Sequence, residues 1–129
     1  MNDVFKVLIS IRNSLIAKQD NVSIKINSTK TCFSILRLLY EEGFILTYIY
    51  DSKKKEIHIK NNIYKNKPMI SILKLYNKVS FPIYLKYTDL CAIHKFGVDL
   101  LILSTTKGFL PHYKALKYKL GGKLICYIR

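Results

Sequence analysis

The apolar residues in the first half of the chain follow two different periods. Between residues 3 and 18 they recur at intervals of three and four residues, which predicts an amphipathic helix with Asp3 as a candidate cap. The apolar face of this helix is formed by Val4, Leu8, Ile11 and Leu15. In the segment NVSIKIN, residues 21–27, apolar and polar residues alternate, which predicts a half-buried strand.

A second helix and a hairpin follow this strand. Ser28 precedes another helical pattern, and Gly43 fits the position after its end, where a positive φ is easiest for glycine. The apolar face of this second helix is formed by Cys32, Ile35, Leu36 and Leu39. The β-rich stretches FILTYIY and EIHIKN flank the polar turn DSKKK, which predicts a β-hairpin.

The second half of the chain is dominated by short β-rich stretches. Residues 69–80 permit a strand or a helix, and their β-branched content favours a strand. Residues 82–87 predict another short strand. The near-continuous apolar run 98–104 predicts a central strand that is covered on both faces. KLICYIR, residues 123–129, closes the chain as a further strand, and the segment NIYKNKP before this half is read as a polar connector.

Two short helices are predicted among these strands. TDLCAIHKFG, residues 88–97, fits a helix that Thr88 caps and Gly97 ends. PHYKALKYKLGG, residues 111–122, permits a helix that Gly121 can stop.

The length of 129 residues and the order of these elements predict an α+β fold of two small lobes. Residues 1–62 form an N-terminal lobe with the order α-β-α-β-β. Residues 63–129 form a C-terminal lobe that is mainly β with short helices.

The charge of the chain indicates a polyanionic partner. There are 22 basic and 8 acidic residues, a formal net charge of +14, and contacts between lysine and phosphate gain free energy by releasing condensed counterions. Lysines that only keep the surface soluble are the alternative, although solubility needs only a modest net charge. Nineteen lysines stand against three arginines, and isoleucine, asparagine and tyrosine are frequent. This bias is typical of codons rich in adenine and thymine, which points to an organelle or a reduced genome.

Several classes of site are disfavoured by the sequence. Cys32, Cys91 and Cys126 lie far apart without a C-x-x-C pair, so neither a zinc cluster nor a disulfide framework is expected, and no other metal or cofactor is. No apolar run of 18 residues is free of charge, so no transmembrane helix is predicted. The N-terminal residues lack a secretory cleavage site and a presequence, and we expect them to begin the folded domain.

The stretch LILSTTKGFL is the strongest candidate for a catalytic or binding site. A catalytic Ser104 would need a base, and His112 lies eight residues further on, but no G-x-S-x-G motif surrounds the serine. STTKG also lacks the spacing of a phosphate-binding loop. Two interpretations remain open: an ordinary hydroxyl-rich turn before a helix, or a loop in which hydroxyls, a lysine and a glycine contact RNA. The net charge favours RNA. The residues in question are Ser104, Thr105, Thr106 and Lys107.

A second loop precedes the last strand. Gly121 and Gly122 can end a helix, or they can bring bare peptide close to a ribose or a base. If strand 98–104 lies beside strand 123–128, both loops emerge at one edge and form a composite site. Further basic or polar residues that could contact RNA lie on the two predicted helices of the first half. An ordinary solvated face of the first helix and an ordinary cap of the second helix explain these residues equally well. These candidates are Arg12, Asn13, Ser28 and Lys30.

STTKG, followed after eleven residues by LGGKLICY, resembles the S-T-S-K-G and L-G-G-E-I-[IL]-C-Y signature of the eighth small-subunit ribosomal protein family. IRNSL, NSTKTCFSILRLLYEEGFI and ILKLYNKVS resemble further segments of the family in the same order. The resemblance spans nearly the whole chain.

The resemblance implies a two-lobed structural protein without catalysis, small-molecule substrate or membrane. The family binds the central domain of small-subunit ribosomal RNA beside neighbouring small-subunit ribosomal proteins. Carried over by motif, the main RNA contacts fall on residues 104–107, 121 and 122, and the secondary contacts on Arg12, Asn13, Ser28 and Lys30. Lys123 replaces the family's glutamate, and a lysine there is expected to contact phosphate.

The chain also departs from the family pattern. Asp99 stands where a second glycine is usual, and Pro111 and His112 replace a T-D pair. With the codon bias, these departures favour a mitochondrial ribosome and synthesis inside the organelle, with a plastid or a bacterial cytoplasm as the alternatives. A regulatory protein that binds an mRNA through the same site is the alternative function.

Overall fold

The computed structural model describes residues 2–27, 29–76, 82–97 and 99–129. The chain divides into two compact units, Met1–Ser71 and Ile72–Arg129. Each unit contains helices and antiparallel strands, so the predicted α+β class is confirmed. In this division residues 63–71, which the sequence analysis assigns to the second lobe, lie with the first unit.

The first unit is a three-stranded antiparallel sheet with two helices. Its main elements are α1 (Asn2–Ile16), β1 (Asn21–Lys25), α2 (Thr29–Glu41), β2 (Ile45–Asp51) and β3 (Glu56–Asn61). The strand order is β1-β3-β2, and the predicted hairpin of β2 and β3 closes with Asp51 opposite Glu56. The predicted order of helix, strand, helix, strand, strand is therefore confirmed.

The periodicity of the apolar residues explains this core. Side chains of both helices are buried with alternate residues of the strands, so burial of apolar area is the main stabilising term. Leu15 is only half-buried, whereas Ser14 beside it is buried. The buried apolar residues described in this unit are Val4, Val7, Leu8, Ile11, Ile24, Ile26, Cys32, Ile35, Leu36, Leu38, Leu39, Ile45, Ile57, Ile59 and Ile70.

The segment NIYKNKP is a small hairpin and not the plain connector that was predicted. β4 (Ile63–Tyr64) pairs with β5 (Lys67–Pro68), and Tyr64 lies opposite Lys67. The two turn residues, Lys65 and Asn66, have φ angles of 49° and 64°. Two successive left-handed residues are the geometry of a type I′ hairpin turn, which usually contains glycine. The absence of glycine hid this turn in the sequence.

The second unit is a five-stranded antiparallel sheet with two short helices. Its elements are β6 (Leu73–Leu75), β7 (Tyr84–Leu85), α3 (Tyr87–Lys95), β8 (Leu100–Thr105), β9 (Gly108–Pro111), α4 (His112–Lys117) and β10 (Gly122–Ile128). The strand order is β6-β10-β8-β9, and β7 also pairs with β10. β8 is an inner strand with residues 100–103 buried, as predicted. Leu90 of α3 and Ala115 of α4 pack with Leu101, Leu103 and Leu124 of the sheet.

Each short helix differs from the prediction at one terminus: α3 at its start and α4 at its end. The N-cap of α3 is Lys86 and not Thr88, because the Asp89 carboxylate accepts a hydrogen bond from the Lys86 N–H at 3.0 Å. α4 ends at Lys117, and Lys119 takes the left-handed conformation with φ 56°. Leu120 N–H then donates to the Ala115 carbonyl at 2.9 Å. The helix therefore ends before Gly121, and Gly121 directly precedes strand β10.

Lys119 offers a direct test of this helix end. Replacing Lys119 by glycine removes the left-handed strain of a side-chain-bearing residue, and we expect the free energy of unfolding to rise by about 0.5–1 kcal/mol. Urea denaturation measures this change. Lys6→Gly is the control, because Lys6 is exposed inside α1 and glycine there should lower the stability by about 1 kcal/mol. A loss of stability in Lys119→Gly would contradict the assigned helix end.

Candidate nucleic-acid interface

The run of hydroxyl residues forms the turn of the β8–β9 hairpin. Thr105 lies opposite Gly108, and Thr106 and Lys107 occupy the exposed turn between them. The Thr105 hydroxyl donates to the Gly108 carbonyl at 2.8 Å and accepts from the Lys107 N–H at 3.2 Å. Gly108 has a φ of 97°, in the region that favours glycine. The sequence offered a turn before a helix as one alternative, but the turn leads into strand β9.

Strand β10 places the glycine loop directly beside this hairpin. β10 pairs antiparallel with β8, and Lys123 lies opposite Ser104. A Cβ atom at Gly122 would stand 2.5 Å from the Ser104 carbonyl oxygen and 3.0 Å from Thr105 Cγ2. No side chain fits there, so glycine is required by the close approach of two backbones. The pairing on which the expected composite site depended is therefore present.

Strand β7 approaches the other side of the same glycines. Leu85 lies opposite Gly122, and a Cβ atom at Gly121 would stand 2.5 Å from the Leu85 carbonyl oxygen. Tyr84 lies opposite Lys123, which lies opposite Ser104 on β8. Residues directly opposite each other in antiparallel strands share a face of the sheet. An aromatic ring, an ammonium and a hydroxyl therefore form one row, in which Tyr84 is 67% exposed.

A cation–π contact joins the hairpin tip to the segment after α4. The Lys107 Nζ atom lies 4.2 Å from the ring centroid of Tyr118, which is about half exposed. A ring at this distance orients the ammonium without neutralising its charge. Residues 100–129 contain six basic residues and no aspartate or glutamate. We call residues 104–108 and 121–123 the two-loop surface.

The secondary candidates lie in the first unit. Arg12 and Asn13 are on α1, Lys30 is exposed in the first turn of α2, and Ser28 lies outside the described residues. The Asp3 carboxylate accepts a hydrogen bond from Asn27 N–H at 3.3 Å. Burial, and secondly this same carboxylate, raise the pKa of Cys32 in the first turn of α2. A negative charge is therefore already present at the helix start, where it competes with a phosphate.

The alternative chemistry of a serine hydrolase has little support in the geometry. His112 is buried, and its Nδ1 atom accepts a hydrogen bond from the Leu101 N–H at 3.1 Å. That nitrogen holds strand β8 to α4 and is not available as a base for Ser104. The described part of the chain contains no cluster of three or more metal-ligating side chains, and no helix in that part is long and apolar enough to cross a membrane.

The cysteines differ from one another in exposure. Cys32 and Cys126 are buried, and Cys91 is exposed on α3. Burial raises the pKa of Cys126 to about 12, so this thiol is unreactive near neutral pH.

Sequence reasoning missed Tyr118. Tyr84 lies in FPIYLKY, a shortened form of the family's P-G-x-R-x-Y stretch, and matches that stretch only in part. Both rings reach the two-loop surface through tertiary structure: Tyr84 by pairing of β7 with β10, and Tyr118 by the end of α4. Tyrosine spacing in the sequence carries no signal for either position.

The Thr105 hydroxyl can be tested as part of the turn. Thr105→Val keeps the shape but removes two hydrogen bonds, so we expect the free energy of unfolding to fall by about 1–2 kcal/mol. Thr106→Val, at the exposed tip, should change it by less than about 0.5 kcal/mol. Chemical denaturation of both variants gives the comparison, and equal effects would refute the assigned role of Thr105.

Comparison with known proteins gives a consistent answer. The sequence profile of the ribosomal protein S8 family matches residues 2–129. The small ribosomal subunit protein uS8 of Wigglesworthia glossinidia brevipalpis is 36% identical, over 92% of this chain and 89% of the relative. The uS8c protein of Gracilaria tenuistipitata var. liui is 34% identical, over 99% and 98% of the two chains. The uS8 protein of Blochmanniella pennsylvanica is 33% identical, over 98% and 96%. On this evidence the chain belongs to the ribosomal protein S8 family.

Proposed function

We propose that this chain is a structural protein of the small ribosomal subunit and that it holds ribosomal RNA with its two-loop surface. Membership of the ribosomal protein S8 family supports the ribosomal role. The pairing of β10 with β8 is the observation that supports the site, because it brings hydroxyls, bare peptide and lysines together at one end of the sheet.

Each component of the two-loop surface suits a different part of an RNA backbone. The hydroxyls of Ser104 and Thr106 can donate to phosphate or ribose oxygens and accept from a 2′-OH. Gly121 and Gly122 carry no side chain, so a ribose or base can approach the peptide closely. Lys107 and Lys123 supply point charges for phosphates. Short donors on a rigid hairpin lose little conformational entropy on binding, which favours recognition of RNA shape.

The RNA proposed as partner is the central domain of small-subunit ribosomal RNA, and the protein neighbours are other small-subunit ribosomal proteins. Arg12, Asn13, Ser28 and Lys30 stay as proposed secondary contacts. The codon bias supports a mitochondrial ribosome. The relatives include bacterial uS8 proteins and a uS8c protein, so a plastid or bacterial ribosome is the alternative location.

Catalysis has no part in this function. The ribosomal protein S8 family is structural, so the chain is not an enzyme. The buried position of His112 and its hydrogen bond to β8 agree with a purely structural histidine.

Sedimentation tests the proposed function against a regulatory mRNA-binding protein. A structural protein should migrate with small ribosomal subunits at one copy per subunit and stay bound in high salt. Recovery mainly in light fractions with an mRNA would support the regulatory function instead.

Lys107 tests the electrostatic part of the site. Lys107→Ala should lower the slope of log affinity against log salt by about one counterion, because one phosphate contact is lost. Filter binding to a small-subunit ribosomal RNA transcript at several salt concentrations measures the slope. Lys54→Ala, at the tip of the β2–β3 hairpin, is the control with the same loss of charge. Equal slopes for the Lys107 variant and the unmodified protein would show that Lys107 contacts no phosphate.

Tyr118 tests whether the orientation of Lys107 matters. Tyr118→Leu keeps every charge but removes the ring, so affinity should fall by about twofold to fivefold, as expected for an exposed cation–π contact. The salt slope should stay unchanged in the same binding assay. A changed slope with unchanged affinity would contradict a role in positioning.

A further inference from the structure

The outer edge of strand β2 is a feature of the first unit that the two-loop surface does not explain. β2 stands at one end of the strand order β1-β3-β2, so only one side of it pairs with β3. Among the residues that the structure describes, no strand pairs with the other side. The backbone N–H and C=O groups along that side are therefore open to a further strand. We call this side of β2 the open edge.

The open edge lacks most of the features that protect sheet edges from other chains. Proteins protect such edges with lysine, proline or a bulge, and β2 contains no lysine, arginine or proline. A bulge interrupts its pairing only between Ile45 and Thr47, and residues 47–51 pair regularly with β3. In a chain with 22 basic residues, an edge strand without a single cation suits a strand that another chain covers.

Exposed apolar side chains accompany the open edge on one face of the sheet. Ile49 is 65% exposed and lies opposite His58. His58 in turn lies opposite Ser23, and both of these residues are exposed, so the helices do not cover this face. Leu46, within the bulge, is 43% exposed. An added strand would therefore bury apolar area that now faces water.

A row of aromatic rings lies on the other face. Because successive side chains of a strand alternate, Tyr48 and Tyr50 lie on the face opposite to Ile49. Their ring centroids are 6.2 and 5.6 Å from that of Phe33 on α2. The Tyr40 ring lies 6.2 Å from that of Tyr48, and Tyr40 is 52% exposed. These contacts hold the rings in place, so an added strand meets a surface that is already formed.

The charge beside the open edge is opposite to that of the whole chain. Residues 38–52 contain three acidic residues and no lysine or arginine, in a chain with a net charge of +14. Glu41 and Glu42 come just before β2, and Arg37 forms an exposed ion pair with Glu41 at 3.1 Å. The lysines of the hairpin turn, residues 53–55, lie beyond the other end of the strand. Carboxylates at the start of the strand repel phosphates and attract a cationic peptide.

We propose that an extended segment of a neighbouring small-subunit ribosomal protein, rich in lysine or arginine, adds to β2 as a fourth strand. Its backbone continues the hydrogen-bond ladder of the sheet, and its apolar residues pack beside Ile49 and on the aromatic row. Its cations contact Glu41 and Glu42. A second copy of this chain would bring the same carboxylates to the edge and is disfavoured. This inference rests on the proposed function, since it needs the chain to lie in the small subunit.

Photocrosslinking identifies the occupant of the open edge. A benzophenone amino acid in place of Ile49, in protein assembled into small subunits, should form adducts with a lysine- or arginine-rich segment of another ribosomal protein. The same amino acid in place of Ile16, which is 74% exposed at the end of α1, is the control and should not reach that segment.

The other outcomes of this experiment contradict one proposal or the other. Adducts of position 49 with ribosomal RNA, with a second copy, or with a segment that lacks lysine and arginine would overturn the inference, and so would the absence of adducts. In each of these cases the protein is found in small subunits, so the proposed function stands. Failure of the protein to enter small subunits would instead contradict the proposed function.

Hydrogen–deuterium exchange separates strand pairing from a contact of side chains alone. The amides of β2 that face away from β3 should exchange more slowly in assembled subunits than in the free protein, because they donate to the added strand. A small-subunit ribosomal RNA transcript alone should not slow them. Unchanged exchange in assembled subunits would overturn the pairing, and slowing by the transcript alone would assign the open edge to RNA.

Ile49→Lys tests the charge and the apolar contact together. A lysine on an edge strand discourages pairing and repels a cationic segment. With the benzophenone amino acid in place of Leu46, we expect Ile49→Lys to lower the yield of the protein adduct at least about fivefold. Ile16→Lys adds the same charge at another exposed position of the unit and should leave the yield unchanged. Equal yields in the two variants would overturn the proposal.

Discussion

The close approach of three backbones at Gly121 and Gly122 is the constraint on which the proposed site depends. A Cβ atom at either glycine would meet a carbonyl oxygen at 2.5 Å, from Leu85 in one case and from Ser104 in the other. Because no side chain separates them, β7 and β8 both pair with the first residues of β10. The hydroxyl hairpin and the glycine loop are thereby held as one surface by the hydrogen bonds of the sheet.

The distribution of charge over the chain suits a polyanionic partner. Among the residues that the structure describes, lysines occupy four left-handed turn positions, Lys18, Lys55, Lys65 and Lys119. Such positions place the ammonium groups at the tips of turns, where a polyanion can reach them. There the ammonium groups add little to the stability of the fold. A net charge of +14 also repels itself and lowers the stability of the isolated chain. A bound RNA relieves this repulsion and stabilises the folded state by mass action.

Helices and strands whose buried residues follow a simple pattern along the sequence could be predicted from that pattern. α1, α2 and the β2–β3 hairpin follow hydrophobic periodicity, and β8 follows from an unbroken apolar run. Features that depend on backbone geometry could not be predicted. The cap at Lys86 uses the Asp89 carboxylate, and a left-handed lysine, Lys119, follows the end of α4, although sequence preferences favour threonine and glycine for these roles.

The candidate site was predictable to a similar degree. The two loops carry a specific family signature, and strand pairing explains their proximity. The contact between Lys107 and Tyr118 forms only when the β8–β9 hairpin and the segment after α4 pack together. No local sequence pattern predicts such contacts, because tyrosine and lysine are common throughout this chain.

Hydrogen–deuterium exchange of the free protein and of its complex with small-subunit ribosomal RNA shows whether the two-loop surface holds the RNA. If the two-loop surface holds RNA, amide exchange slows on RNA binding at residues 104–108 and 120–123. RNA binding that leaves the exchange of both segments unchanged, and protects another face of the second unit, would contradict it.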